Sequence, residues 1–124
     1  MTSEWRRKRI AKNETSFRDI NERLEAGLKQ VQHRPALVEF VCECGNRNCE
    51  EHIRMTIEEY EAVRRDSRRF AVVPGHVLRE TERVVASRGD YDVVEKFGDA
   101  VEVVDAADRR TLGTSGRRSP DAEP

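Results

Sequence analysis

The sequence predicts an α+β fold: a long amino-terminal helix, then a small zinc-stabilised antiparallel hairpin or sheet with one or two packed helices. Three observations carry that prediction. Apolar residues recur at helical spacing from Ser3 to Gln32, short runs of β-branched and aromatic residues follow Pro35, and Cys42, Cys44 and Cys49 crowd one turn between two of those runs. The 124-residue chain is 36% hydrophobic with a mean hydropathy of -0.82, which suits one small domain with a thin core. We divide it into a helix over 1–34, a zinc-binding α+β domain over 35–104 and a disordered tail over 105–124.

The helix is read from Ile10, Phe17, Ile20, Leu24 and Val31, spaced by seven, three, four and seven. This narrow seam predicts a short coiled coil or a docking face for a protein partner, in competition with packing on the chain's own domain. Asn13 and Gly27 weaken it and Leu28 widens it. Arg34-Pro35 stops the helix, because proline disfavours helical geometry in the residue before it. His33 is read as a capping residue at the carboxyl end.

Ala36 to Cys42 is a strand candidate leading into the cysteine turn, and His52 to Met55 is its return. Thr56-Ile57-Glu58-Glu59 is a capping box, with Ile57, Tyr60 and Val63 as the buried stripe of a second helix. Phe70 to Val73 is another short strand. Leu78 to Ser87 reads as a helix ended by Gly89, or Arg83 to Ala86 reads as a strand pairing with Tyr91 to Phe97. After Val104 the apolar pattern is lost.

The motif C-x-C-x4-C holds all the cysteines of the chain. Thiolate and imidazole are the usual ligands of tetrahedral zinc, and Gly45, Asn46 and Asn48 suit a turn around one ion. A disulfide framework needs an even count and an exported chain. Here the count is odd and residues 1–9 lack the apolar run of a signal peptide, so reduced thiols in the cytoplasm are expected. Cys42 and Cys44 share strand parity and project from one face. The fourth ligand lies among His52, His76, a carboxylate such as Glu43, and water. His52 is near in sequence, but it alternates with Ile53 and Met55 and so faces solvent with Arg54. His76, after the Pro74-Gly75 turn, is preferred by a narrow margin.

The residues Asn13-Glu14, Phe17-Arg18, Asn21-Glu22-Arg23, Phe40-x-Cys42-Glu43-Cys44, Cys49, Glu59-Tyr60-Glu61, Phe70-x-Val72-x-Pro74-Gly75-His76 and Val94-Glu95-Lys96 resemble a family of small uncharacterised bacterial proteins. The resemblance spans about residues 10 to 98. It implies the same knuckle and favours His76, and it implies no activity.

Function classes are bounded mainly by what is missing from the sequence. There is no phosphate-binding glycine loop, no G-x-S-x-G elbow and no H-x-E with P-C-x-x-C pair, so an enzyme is disfavoured. A zinc hydrolase or deaminase would need Glu43, Glu50 or Glu51 as its acid or base. No apolar stretch reaches membrane-spanning length, and a net charge of -1 gives no global pull toward nucleic acid. The expected function is a non-catalytic, zinc-binding protein-interaction or regulatory module, or else a nucleic-acid-associated zinc protein using Arg64, Arg65, Arg68 and Arg69, or a redox or zinc sensor. Arg6-Arg7-Lys8-Arg9 beside Trp5 has the composition to grip phosphate, although a solvated helix start explains it equally.

Overall fold

Ser3 opens the first helix. Its Oγ accepts from the Arg6 backbone N–H at 3.1 Å, and α1 runs over Glu4–Leu28. The computed structural model describes residues 3–108 and 110. α1 ends four residues before the expected Gln32, and residues 29–37 are all exposed. Gly27 falls in its last turn, where it disfavours the helix, and the residues beyond bury no apolar surface to offset that. His33 therefore lies outside the helix and is no cap.

β1 (Val38–Val41) and β2 (His52–Met55) pair antiparallel, with Val38 opposite Met55 and Phe40 opposite Ile53. The pleat sends Val38, Phe40, Ile53 and Met55 inward and leaves Glu39, His52 and Arg54 exposed. Thr56 then caps α2 (Ile57–Arg64) with both bonds of the capping box, Glu59 N to Thr56 Oγ1 at 3.0 Å and Thr56 N to Glu59 Oε1 at 2.8 Å. Tyr60 of α2 stacks on Phe40 with ring centroids 4.5 Å apart.

A second sheet holds β3 (Arg69–Val72), β4 (Glu82–Ser87) and β5 (Asp92–Lys96) in the antiparallel order β3-β5-β4. Of the two readings of residues 78–87, the strand holds and the helix does not. Val84 and Val85 favour extended backbone, and Gly89 at φ 88° turns the chain into β5. A register shift between Val84 and Ala86 marks a bulge at Val85.

Alternation in β3 divides the core. Ala71 joins Val93, Tyr91 and the α2 stripe on one face, while Phe70 and Val72 join Val94, Cys42 and Cys44 on the other. Gly98–Ala100 forms a 3₁₀ turn leading into α3 (Val101–Ala106), whose Val104 is fully buried. The expected tail boundary at 105 thus falls inside α3: Ser67 Oγ donates to Asp105 at 2.7 Å, and Arg64 donates to Asp108 at 2.6 Å. The remainder of that segment, residue 109 and residues 111–124, lies outside the described residues.

The buried stripe of α1 is Ile10, Ala11, Glu14, Arg18, Asn21 and Glu25. It lies beside the apolar seam read from the sequence. Of the seam, Ile10 is buried, Phe17 and Leu24 are half-buried, Ile20 is 50% exposed and Val31 lies beyond the helix. The seam was displaced because α1 docks chiefly through polar side chains that satisfy specific buried partners. Among the described residues no helix is long and apolar enough to cross a membrane.

Candidate metal centre

The turn between β1 and β2 is fixed from both ends. Cys42 N donates to Glu51 O at 3.0 Å, continuing the β1–β2 ladder, and Glu43 N donates to Ala71 O at 2.9 Å, tying the turn to β3. Within the turn, Asn46 Oδ1 accepts from Asn48 N at 3.0 Å and Asn46 O accepts from Cys49 N at 3.0 Å. These local bonds reverse the chain and carry Cys49 back toward Cys42. Gly45 sits where any side chain would collide, since a Cβ there would lie 2.4 Å from Ile10 Cγ2 and 2.8 Å from Leu78 Cδ1.

Four donor atoms converge here. Ligand atoms of Cys42, Cys44, Cys49 and His76 all lie within 4.8 Å of one another. His76 Nδ1 is 3.5 Å from Cys42 Sγ and 3.7 Å from Cys49 Sγ. A tetrahedral zinc with bonds of about 2.3 Å to sulfur and about 2.0 Å to nitrogen has S···N edges of about 3.5 Å and S···S edges of about 3.8 Å. The two S···N separations match the corresponding edges of such a tetrahedron with Nδ1 facing the thiols, and the remaining donor pairs all lie within 4.8 Å.

The other ring nitrogen is also engaged. His76 Nε2 is 3.2 Å from Glu51 Oε2, the pairing that orients a metal-bound imidazole and fixes its tautomer. His76 reaches the cluster because Gly75, at φ 91°, turns the chain after β3, and His76 N donates to Val73 O at 2.9 Å. The Val73 N–H donates to Cys42 Sγ at 3.2 Å, which favours a thiolate there. A hydrogen bond from the Cys42 thiol is the main cause holding Cys44 down at about 5, while Cys42 is pushed up by giving that bond and by burial. Cys42 and Cys44 are buried and Cys49 is half-buried, so little solvent reaches the donors.

His52 stays on the exposed face of β2 with Arg54 and outside the cluster, as strand parity requires. Glu43 faces away from the donors. Its fully buried carboxylate accepts from Tyr60 Oη at 2.6 Å, Asn21 Nδ2 at 2.9 Å and Ala71 N at 3.0 Å, and burial raises its pKa. It thus lies outside the donor cluster and anchors the backbone between two of the candidate ligands. Glu50 is exposed, and Glu51 is occupied by His76.

Of the arginines, Arg64 is buried between Glu22 at 2.7 Å and Asp108 at 2.6 Å. Arg68 faces Asp105 and Arg69 faces Glu95, leaving Arg65 exposed. Sequence reading missed Glu51 as the partner of His76, and Asn13, whose Nδ2 donates to Gly45 O at 2.8 Å and links α1 to the knuckle. The anchoring of Glu43 had a signal: a residue between two ligands on one strand face must point to the opposite face. No family model, curated protein or solved structure matches the chain, so the reading of this centre rests on its geometry.

Proposed function

We propose that the protein is a non-catalytic zinc-binding module whose metal holds a surface for a macromolecular partner, in an interaction or regulatory role. The observation that carries this reading is the convergent Cys3His set, with two S···N separations of tetrahedral edge length and an engaged second nitrogen on its histidine. Four protein donors close the coordination sphere, and structural zinc sites are closed in this way while catalytic ones keep a position for water. Reduced thiols of this kind suit a cytoplasmic setting.

The partner surface is α1. Its Phe17, Ile20 and Leu24 flank remains half-buried to exposed, with Ile20 the most open. Such an apolar strip beside a polar docking stripe suits a protein partner or a second copy. The Arg64, Arg65, Arg68 and Arg69 cluster supports a nucleic-acid role less well, because three of its four cations face carboxylates.

The test is elemental analysis of reduced protein with His76→Ala and His52→Ala compared side by side. One zinc per chain is expected for the parent and for His52→Ala, with affinity reduced by at least ten-fold in His76→Ala. Equal loss of zinc from both variants, or none bound by the parent, overturns the assignment.

A further inference from the structure

Across the knuckle from the metal donors, the first turns of α1 and the loop Gly45–Asn48 enclose a groove of about 580 Å³. Its charge is one-sided. Arg6, Arg9 and Arg47 line it, and among the described residues no acidic side chain does. Arg6 is neutralised by Glu80 at 2.9 Å, while Arg7 and Lys8 are turned to Asp99 and Glu4. The basic run is therefore sorted by the fold: three of its cations face carboxylates, and Arg9 is left to the groove with Arg47.

Trp5 stands at the same edge, 68% exposed, with the Arg9 guanidinium 5.1 Å from its ring centroid. An exposed indole costs free energy in water unless something covers it, and one face of this ring already carries a cation. Asn46 and Asn48 add amide groups on the opposite wall, and both belong to the loop closed by Cys44 and Cys49.

From this the geometry points to a binding site for single-stranded nucleic acid: a base stacks on Trp5, phosphates lie against Arg9 and Arg47, and the asparagine amides meet base edges. Stacking platforms flanked by arginines are how single strands are held, and exposed amides pair with the edges that a single strand leaves open. The groove has room for about one or two nucleotides and none for a duplex. An acidic peptide shares the charge but offers no flat ring for Trp5. This site lies apart from the Phe17, Ile20 and Leu24 flank and goes beyond the interaction role proposed above. It depends on the metal centre only in that the metal fixes the Asn46–Asn48 wall.

Trp5 is the sole tryptophan of the chain and so reports on the site directly. The experiment titrates zinc-loaded full-length protein with a ten-residue oligo-uridine, following Trp5 fluorescence and the anisotropy of a labelled copy between 50 and 300 mM salt. Quenching with a steep salt dependence is expected, and Arg9→Ala/Arg47→Ala should flatten the log–log salt slope by about 1.4 while leaving zinc content and circular dichroism unchanged. Trp5→Ala should lower affinity by about ten-fold or more. Unchanged fluorescence at 50 mM salt, equal binding of a duplex or of poly-glutamate, or an unaltered slope in the double variant each overturns the proposal. Zinc content measured on the same samples separates such a failure from a failure of the metal assignment.

Discussion

At the scale of single residues, Glu43 does more for the knuckle than any other group that is not a ligand. Three donors from three separate elements end on one carboxylate: Asn21 of α1, Tyr60 of α2 and Ala71 of β3. Asn21 closes the arrangement by donating to Val41 O at 2.8 Å and accepting from Val41 N at 2.9 Å, so the edge of β1 is satisfied by a side chain where another strand would otherwise pair. Glu43→Ala would strand all three donors in the interior. With about 1–3 kcal/mol for each buried group left unpaired, a loss of at least 3 kcal/mol is expected in urea denaturation, together with weaker zinc retention in chelator competition. A loss under 1 kcal/mol would mean that water replaces the carboxylate. The same logic explains what the sequence made legible here. The candidate ligands Cys42, Cys44 and Cys49 stand out by type and spacing, whereas the partners of Glu43 are distant in sequence and meet only once three elements have packed.

At the scale of elements, α1 is the part least visible in advance. Periodicity finds apolar stripes, and the stripe that docks is mostly polar: Arg18 donates to Ser67 O at 2.6 Å and to Val104 O at 3.1 Å over the face of Phe70, while Glu14 and Glu82 share the buried ammonium of Lys96. With two carboxyls and one cation in a dry site, desolvation and then the bond to Glu82 push the Glu14 carboxyl well above its ordinary range. By contrast, β2 and α2 were legible because their signals are local, strand alternation in one and a capping box in the other. α3 went unread because its anchors are Asp105 and Asp108, which read as tail composition until Arg68 and Arg64 are opposite them. Where α1 meets α2, Glu25 lies against Glu61 and is raised to about 7, chiefly by burial and then by that neighbour, despite Arg110 at 3.1 Å. A carboxyl raised above its unfolded value near 4.5 favours folding below that pH, and the benefit is lost as pH climbs through about 7. Glu25→Gln removes the titration. The difference in Tm between Glu25→Gln and parent should therefore move in favour of the variant from pH 5 to about 7.5 and then level off; a difference independent of pH would contradict it.

At the scale of the whole molecule, the donor cluster spans the two sheets, beside the shared core and the Glu43–Ala71 bonds that also join them. Cys42, Cys44 and Cys49 belong to the loop between β1 and β2, and His76 follows β3 of the other sheet, so an ion held by all four would bridge elements that share no strand ladder. With a thin core and buried charges that offset much of their own attraction by desolvation, such a bridge would add substantially to the stability of the fold. Structural zinc contributes on the order of 10 kcal/mol in small modules, comparable with the whole net stability of a domain this size. Removing it should act unevenly. The amides most dependent on the knuckle are Val73, which donates to Cys42 Sγ, Cys42, which donates to Glu51 O, and Glu43, which donates to Ala71 O. The β4–β5 hairpin is held by its own ladder and by the bond from Phe97 N to Thr81 O, away from the donors. Hydrogen exchange after chelator treatment at pH 7 should therefore accelerate first at Val73, Cys42 and Glu43 by two orders of magnitude or more, with Val84 and Val94 following only as the chain unfolds globally, and added zinc should restore the original pattern. Uniform acceleration across all strands would mean that the ion stabilises the molecule as one cooperative unit, and no acceleration at all would mean that the shared core, the Glu43–Ala71 bonds and the docking of α1 join the sheets without it.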